Sequence, residues 1–277
     1  MDAKEKKQRL DKLAPAIKEI LAKKFPIDAQ MSNAISLLVD KLVEKGWSDP
    51  DPETRTLGIQ FIHEAKRDIK SCRLLYSKKA YAHAIYHLQQ SVEKAVKGYV
   101  LIEGFYNANE VKEIATHESP LVIIKALTEK TGMKYDAVKR NDKETLSKIR
   151  DAELIMSNEE KRVDMAKIGT PAILVALNEI EGFHRLAEGI VNEINPKLKA
   201  ESLPVLSDLD IRKFSVPTDL LVLALLTFPH WLYSRYPDGR ITPADYTPHL
   251  GIVGECKKIS LILEKEIDVL MMAKYQS

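Results

Sequence analysis

The sequence has very few cysteine and glycine residues. It contains 2 Cys and 11 Gly among 277 residues, which excludes a disulfide-dense scaffold and a glycine-rich fibrous chain. Cys72 and Cys256 stand far apart and belong to no CxxC or Cys/His cluster, so a structural zinc site is not indicated. Such sparse cysteine is typical of a protein in a reducing compartment, although a disulfide between Cys72 and Cys256 stays an alternative. We therefore expect a cytoplasmic protein.

The chain also lacks a long apolar run and a strong net charge. Its most apolar stretch, 220–232, is shorter than the roughly 20 residues that span a bilayer and contains Pro229 and His230. We expect a buried core helix there and no membrane partner. The charged segment 1–13 has no apolar core, so no signal peptide is expected. A net charge of +2 identifies no polyanionic partner, though a local basic patch is compatible with it.

The chain is instead rich in helical periodicity. Over 57–79 and 81–104, apolar residues recur every three or four positions, which predicts two amphipathic helices. Their short linker predicts an antiparallel helical hairpin. Further helices are predicted at 4–23, 34–46, 119–132, 134–169, 170–194, 218–233 and 248–275, with 195–217 as the longest irregular connection. Because no strand alternation and no repeat period is found, the predicted fold class is all-α.

Motifs that define several enzyme classes are missing from the sequence. It contains no GxxxxGK[ST] or GxGxxG loop, which leaves P-loop hydrolysis and dinucleotide binding unsupported, and no GxSxG nucleophile turn. His83 and His87 are four residues apart and share a helix face, a spacing that suits two metal ligands. No HExxH and no third ligand accompany them. The sequence therefore predicts no metal site and no cofactor.

Three short motifs, in order, carry a family resemblance. The segment QQSVEKAVK (89–97) resembles the QQxxEKxxK signature of HEPN domains, which are small helical bundles. THESP (116–120) is similar to the element that opens the third helix of those domains. SRYPDG (234–239), followed by a long amphipathic helix, is similar to the turn before their last helix. The resemblance covers roughly 57–131 and 217–273.

The resemblance implies a domain organisation for the whole chain. It predicts a HEPN-like four-helix bundle built from 57–131 and 217–277. The segment 1–56 is then an N-terminal helical extension, and 132–216 is a central helical insertion packed on the bundle. HEPN domains commonly pair, so the resemblance also implies a homodimer formed through the bundle.

The polar residues of the signature admit two interpretations. Gln89, Gln90, Glu93, Lys94 and Lys97 either form a binding site or bridge neighbouring helices at the edge of the bundle. Glu93 and Lys97 stand four apart in the favourable order, which stabilises an exposed helix by about 0.2–0.5 kcal/mol. The structural interpretation is favoured.

The ribonuclease branch of the family carries an Arg and a His, four to six residues apart, near the start of the last helix. The histidine moves a proton at the 2′-hydroxyl or the leaving oxygen, and the arginine stabilises phosphate charge. No Arg–His pair in this sequence has that spacing. The nearest candidates are His249 with Arg235 or Arg240, and Arg240 is separated from His249 by eight residues.

Three functions are consistent with the sequence. The first, which we favour, is a HEPN-type helical protein without a recognisable catalytic motif. The resemblance associates such a protein with nucleotides, RNA or a partner nucleotidyltransferase, in defence or toxin–antitoxin systems. The second is a divergent, metal-independent HEPN ribonuclease. The third is a helical protein–protein interaction scaffold.

Overall fold

The computed structural model describes residues 50–114, 119–126, 158–200, 205–236 and 240–273. Within these ranges the chain forms α-helices and one short 3-10 helix, Pro243–Asp245, and no strand, which confirms the all-α prediction. The helices predicted at 4–23 and 34–46 lie outside the described residues. The α-helices are α1 Pro52–Ser77, α2 Tyr81–Ile102, α3 Ala108–Ile114, α4 Ser119–Lys125, α5 Glu159–Ala166, α6 Thr170–Ala200, α7 Asp208–Thr227, α8 His230–Tyr233, α9 Gly251–Gly254 and α10 Cys256–Ala273.

Helix α1 begins five residues before the predicted start at Leu57. The side chain of Asp51 accepts a hydrogen bond from the backbone N–H of Thr54 at 2.9 Å and one from its hydroxyl at 2.7 Å. Pro52 follows at the first helical position, where its missing N–H is not needed. A side-chain cap and an N-terminal proline thus start the helix ahead of the predicted apolar period.

Helices α1 and α2 form the predicted antiparallel hairpin. Gly58, near the start of α1, lies against Gly98, near the end of α2. A Cβ built on Gly98 would stand 2.4 Å from Cδ1 of Ile62 and 2.9 Å from the carbonyl oxygen of Gly58. The two helices approach so closely here that no side chain fits at Gly98. Gly104 ends the hairpin with a positive φ of 67°, as predicted from its position after the last apolar residue.

Four long helices close the bundle. Helix α1 packs on α2, α2 on α7, α7 on α10, and α10 back on α1. Helix α6 packs against α7 and α9, and α4 packs against α2 and α7. This arrangement agrees with a HEPN-like four-helix bundle carrying additional helices. The proposed limits of the extension and the insertion stay predictions.

The irregular connection predicted at 195–217 is wrong over most of its length. Helix α6 continues through Pro196 to Ala200, and α7 begins at Asp208 and continues through Pro217. Val216 and Leu220 are fully buried on either side of that proline. The free energy of burying them offsets the backbone hydrogen bond that a proline removes. Conversely, the predicted helix 218–233 is divided, because α7 ends at Thr227 and α8 begins only after Pro229.

The burial predicted for 220–232 is confirmed, although two helices rather than one form this segment. Leu220, Leu223, Ala224 and Phe228 are at most 1% exposed, and three of them, all but Phe228, belong to the main hydrophobic core. Among the described residues, no helix has both the length and the apolar character needed to cross a membrane.

Candidate functional site

The polar residues of the QQSVEKAVK signature on α2 are buried or half-buried in the bundle rather than exposed to solvent. Gln89 is 0% exposed, Glu93 5% and Lys97 7%, while Gln90 and Lys94 are half-buried. Burying a charged group is costly unless it is paired and hydrogen-bonded. The arrangement of their partners therefore decides what these residues do.

Glu93 is the acceptor at the centre of this group. Its Oε1 receives a hydrogen bond from Nζ of Lys97 at 2.6 Å. Its Oε2 receives one from Nε2 of Gln89 at 3.0 Å and a longer one from Nε2 of Gln90 at 3.4 Å. Gln90 also donates to Oε1 of Gln89 at 2.7 Å. These side chains satisfy one another within one helix, so they constitute an internal polar network with a buried ion pair.

Lys94 belongs to a different contact. Its Nζ lies 2.5 Å from Oδ2 of Asp68 on α1, and Nδ1 of His87 lies 2.8 Å from Oδ1 of the same carboxylate. Asp68 thus joins α1 to α2 through two side chains. Lys94 therefore contacts the neighbouring helix rather than Glu93. His83, the other member of the His83/His87 spacing, is exposed.

A second polar cluster lies where α6, α7 and α10 meet. It consists of His184, Asp219 and Glu266, which we call the His–Asp–Glu cluster. Each side chain offers one ligand atom, and these three atoms all lie within 4.8 Å of one another. Asp219 is 0% exposed and Glu266 3%, whereas the side chain of His184 is 35% exposed. Nε2 of His184 lies 2.5 Å from Oδ2 of Asp219.

Burial controls the charge of this cluster. Burial and the neighbouring Asp219 raise the pKa of Glu266 to about 9, so Glu266 holds a proton at neutral pH when nothing else is bound. Burial also raises the pKa of Asp219, against the opposing effect of its hydrogen bond with His184. That hydrogen bond raises the pKa of His184. The cluster therefore concentrates acidic groups in a region that disfavours their charge.

No motif in the sequence identifies the His–Asp–Glu cluster. Its members come from three helices and share no local spacing, so no motif connects them. One signal was present: Asp219 is the only charged residue of the apolar segment 214–234. An isolated carboxylate among leucines indicates a buried acid that needs a partner.

The predicted catalytic candidates lie on the C-terminal side of the bundle. Arg235, Arg240 and His249 are all exposed. In the described part of the chain, no hydrogen bond or ion pair joins His249 to either arginine. The predicted pairing of His249 with Arg235 or Arg240 thus receives no support from a direct contact.

Arg235 instead lies among aromatic rings. Its Cζ is 5.0 Å from the ring centroid of Tyr86, 5.1 Å from that of Tyr236 and 5.8 Å from that of Trp231. Its Nε donates to the carbonyl oxygen of Trp231 at 3.2 Å. Tyr236 is 51% exposed. We call these four residues the Arg235 patch. It consists of an exposed cation that lies over three aromatic rings.

Next to this patch, His230 is 1% exposed and Tyr233 2%, which confirms that they pack in the core. Nδ1 of His230 lies 2.9 Å from the hydroxyl of Tyr246. Burial lowers the pKa of His230 to about 3. This imidazole is therefore neutral at physiological pH and has no role as a solvent-accessible acid or base.

The fold and these clusters define an all-α bundle protein with internal polar networks and one exposed Arg–aromatic patch. Residues 60–156 match the family model of the HEPN domain, which confirms the resemblance read from QQSVEKAVK. The match covers about a third of the chain. The C-terminal part of the resemblance, 217–273, lies outside this match and stays a prediction. Neither the curated proteins nor the solved structures compared with this chain yielded a match.

Proposed function

We propose that this protein is a HEPN-type accessory protein that associates with RNA or nucleotides, in a toxin–antitoxin or defence context, and does not cleave them. The Arg235 patch is the observation that carries the proposal. Association with nucleotides or RNA is usual for HEPN domains. The patch supplies a surface chemistry that suits this association.

An exposed guanidinium on aromatic rings matches the chemistry of a single-stranded nucleic acid. Arginine donates in a planar fork that fits phosphate oxygens. An exposed tyrosine offers a face on which a base can stack, with about 1–3 kcal/mol per stacked base. Within the described residues no carboxylate forms an ion pair with Arg235, so its charge is available to an anion.

Two features favour binding over cleavage. The Arg–His spacing of the ribonuclease branch is missing from the sequence. In addition, no hydrogen-bond partner is found for the ring of His249 among the described residues. A histidine that acts as a general base normally has its ring oriented by such a partner.

Fluorescence anisotropy with a labelled single-stranded RNA tests the proposal. We expect Arg235→Ala to weaken binding about 10-fold or more, because it removes a charged hydrogen-bond donor. It should also reduce the slope of log affinity against log salt by about 0.7, the value for one phosphate contact on a single strand. Tyr236→Ala should weaken binding with little change in that slope. The matched control is Arg185→Ala, since Arg185 is an exposed arginine on α6 outside the patch.

The remaining hypotheses give different outcomes in the same preparation. Equal affinity of the wild type, Arg235→Ala and Arg185→Ala would refute the role of the patch. Metal-independent RNA cleavage that disappears in His249→Ala would establish the ribonuclease hypothesis instead. Stable co-purification of a protein without any RNA or nucleotide affinity would favour the scaffold.

The proposal includes a homodimer formed through the bundle and, as a further partner, a nucleotidyltransferase. HEPN domains commonly dimerise. Light scattering during size-exclusion chromatography measures the mass directly, and a mass of one chain at micromolar concentration would contradict the dimer.

A further inference from the structure

The His–Asp–Glu cluster is separate from the residues used by the proposed function. Its three side chains come from α6, α7 and α10, and none belongs to the Arg235 patch or to the network around Glu93. The cluster contains two nearly inaccessible carboxyl groups and one partly exposed imidazole. Packing of the three helices does not by itself require three ionisable side chains at one point of the core.

Two oxygen atoms in the cluster lack partners. Oδ1 of Asp219 and Oε2 of Glu266 are buried and have no hydrogen-bond partner among the described residues. A buried polar atom without a partner costs about 1–3 kcal/mol. Two ionised carboxylates offer only acceptors to each other. Either a cation or a proton shared between the two carboxyl groups would satisfy these oxygens.

We propose that His184, Asp219 and Glu266 form a binding site for one divalent transition-metal ion of the Zn²⁺ type. One imidazole nitrogen and two carboxylate oxygens are donors that Zn²⁺ accepts in proteins. Their negative charge, two units when both carboxyls are ionised, neutralises the charge of the ion. This neutralisation matters most in a buried, weakly polarisable environment.

The distances fit with small rearrangements. Ligand bonds to Zn²⁺ of about 2.0–2.2 Å place tetrahedral donors roughly 3.4 Å apart. The three donor atoms lie within 4.8 Å of one another. Nε2 of His184 lies 2.5 Å from Oδ2 of Asp219, so this hydrogen-bonded pair must separate by about 1 Å to bind one ion. Shifts of about 1 Å, within the range of rotamer adjustments, bring the three around an ion. The side chain of His184 is 35% exposed, so the cluster lies next to solvent on that side.

Nearby positive charges do not block the site. The charge of Arg212 acts on both His184 and Glu266, and that of Lys265 acts on Glu266. Both of these residues are exposed, so solvent screens their repulsion of a bound cation.

The competing occupant is a proton. With a proton on Glu266, that carboxyl group donates to Asp219 and the three side chains form a metal-free network. The two alternatives respond oppositely to Glu266→Gln. Glutamine resembles the protonated acid in size and donor capacity, so it preserves the metal-free network, whereas it supplies a much poorer ligand to a metal.

The experiment uses the full chain, freed of metal with a chelator and then titrated with ZnCl₂ in a calorimeter. We expect one Zn²⁺ per chain with a Kd in the micromolar range or tighter, and a rise in Tm on addition of the metal. Glu266→Gln and His184→Ala should each weaken binding more than about 10- to 100-fold, the loss usual for an outer-shell partner alone. The matched control is Glu179→Gln, because Glu179 is an exposed carboxylate on the same helix as His184, and it should bind as the wild type does.

A spectroscopic measurement locates the ion. Co²⁺ bound by the cluster should give visible ligand-field bands that His184→Ala abolishes while the far-UV circular dichroism stays unchanged. A near-UV thiolate charge-transfer band would place the ion at Cys72 and Cys256 and overturn the proposal. Failure of the wild type to bind, or equal affinities of the wild type and Glu266→Gln, would overturn it as well. None of these results depends on RNA binding, so the metal site and the proposed function are tested independently.

Discussion

Acidification should destabilise this protein through His230. The imidazole is 1% exposed, and burial lowers its pKa from 6.5 to about 3. Below pH 6.5 the unfolded chain takes up a proton at this position, whereas the folded chain does not until about pH 3. The contribution of His230 to the free energy of unfolding is therefore complete above pH 6.5 and is lost as the pH falls towards 3.

The size of the effect follows from the two pKa values. Each pH unit between them changes the free energy of unfolding by about 1.4 kcal/mol. Between pH 7 and pH 5, the contribution of His230 should fall by about 2 kcal/mol. The raised pKa of Glu266 has the opposite effect over the same range. The wild-type curve alone therefore does not isolate His230.

Urea unfolding of wild type and His230→Gln, followed by circular dichroism at pH 7, 6 and 5, separates the two contributions. The difference in stability between wild type and variant should change by about 2 kcal/mol across this range, in favour of the variant at low pH. Tyr246→Phe is the control, because it removes the hydroxyl that contacts His230 but leaves the ring buried. It should keep the wild-type pH dependence. Parallel curves for wild type and His230→Gln would mean that His230 is solvated in the folded state.

Two further predictions concern the interior of the bundle. Lys97→Met removes the buried ammonium group that donates to Glu93 and should cost about 3 kcal/mol or more in urea unfolding, whereas adding Glu93→Leu should recover most of that loss. A single-variant cost below about 1 kcal/mol would contradict the burial of the pair. Sγ of Cys72 lies 3.6 Å from Sγ of Cys256, both are buried, and this contact together with burial raises the pKa of Cys256. Both thiols should therefore react with Ellman's reagent only as fast as the chain opens, and rapid reaction of the folded protein would contradict this.

The extent of agreement between sequence and structure differs from helix to helix. Helix α2 was predicted within a few residues because its apolar positions follow a strict helical period and Gly104 ends it. Helix α7 is mispredicted because Pro217 and the four charged residues within 208–213 resemble a connection when they are considered locally. Burial of Val216 and Leu220 overrides that local preference, and no single-sequence pattern reports such long-range packing.

The sequence by itself determined the helical class and the HEPN signature, since both depend on the order of residues within one or two turns of helix. Only the tertiary structure decided the environment of each polar group. QQSVEKAVK is compatible with a solvent-exposed helix face, yet Glu93 and Lys97 are buried in the folded bundle. The His–Asp–Glu cluster is likewise a product of three helices that meet, because residues 35 and 47 positions apart become neighbours only when the bundle closes. Periodicity encodes which face of a helix is apolar, whereas the partners of a buried charge depend on what packs against it.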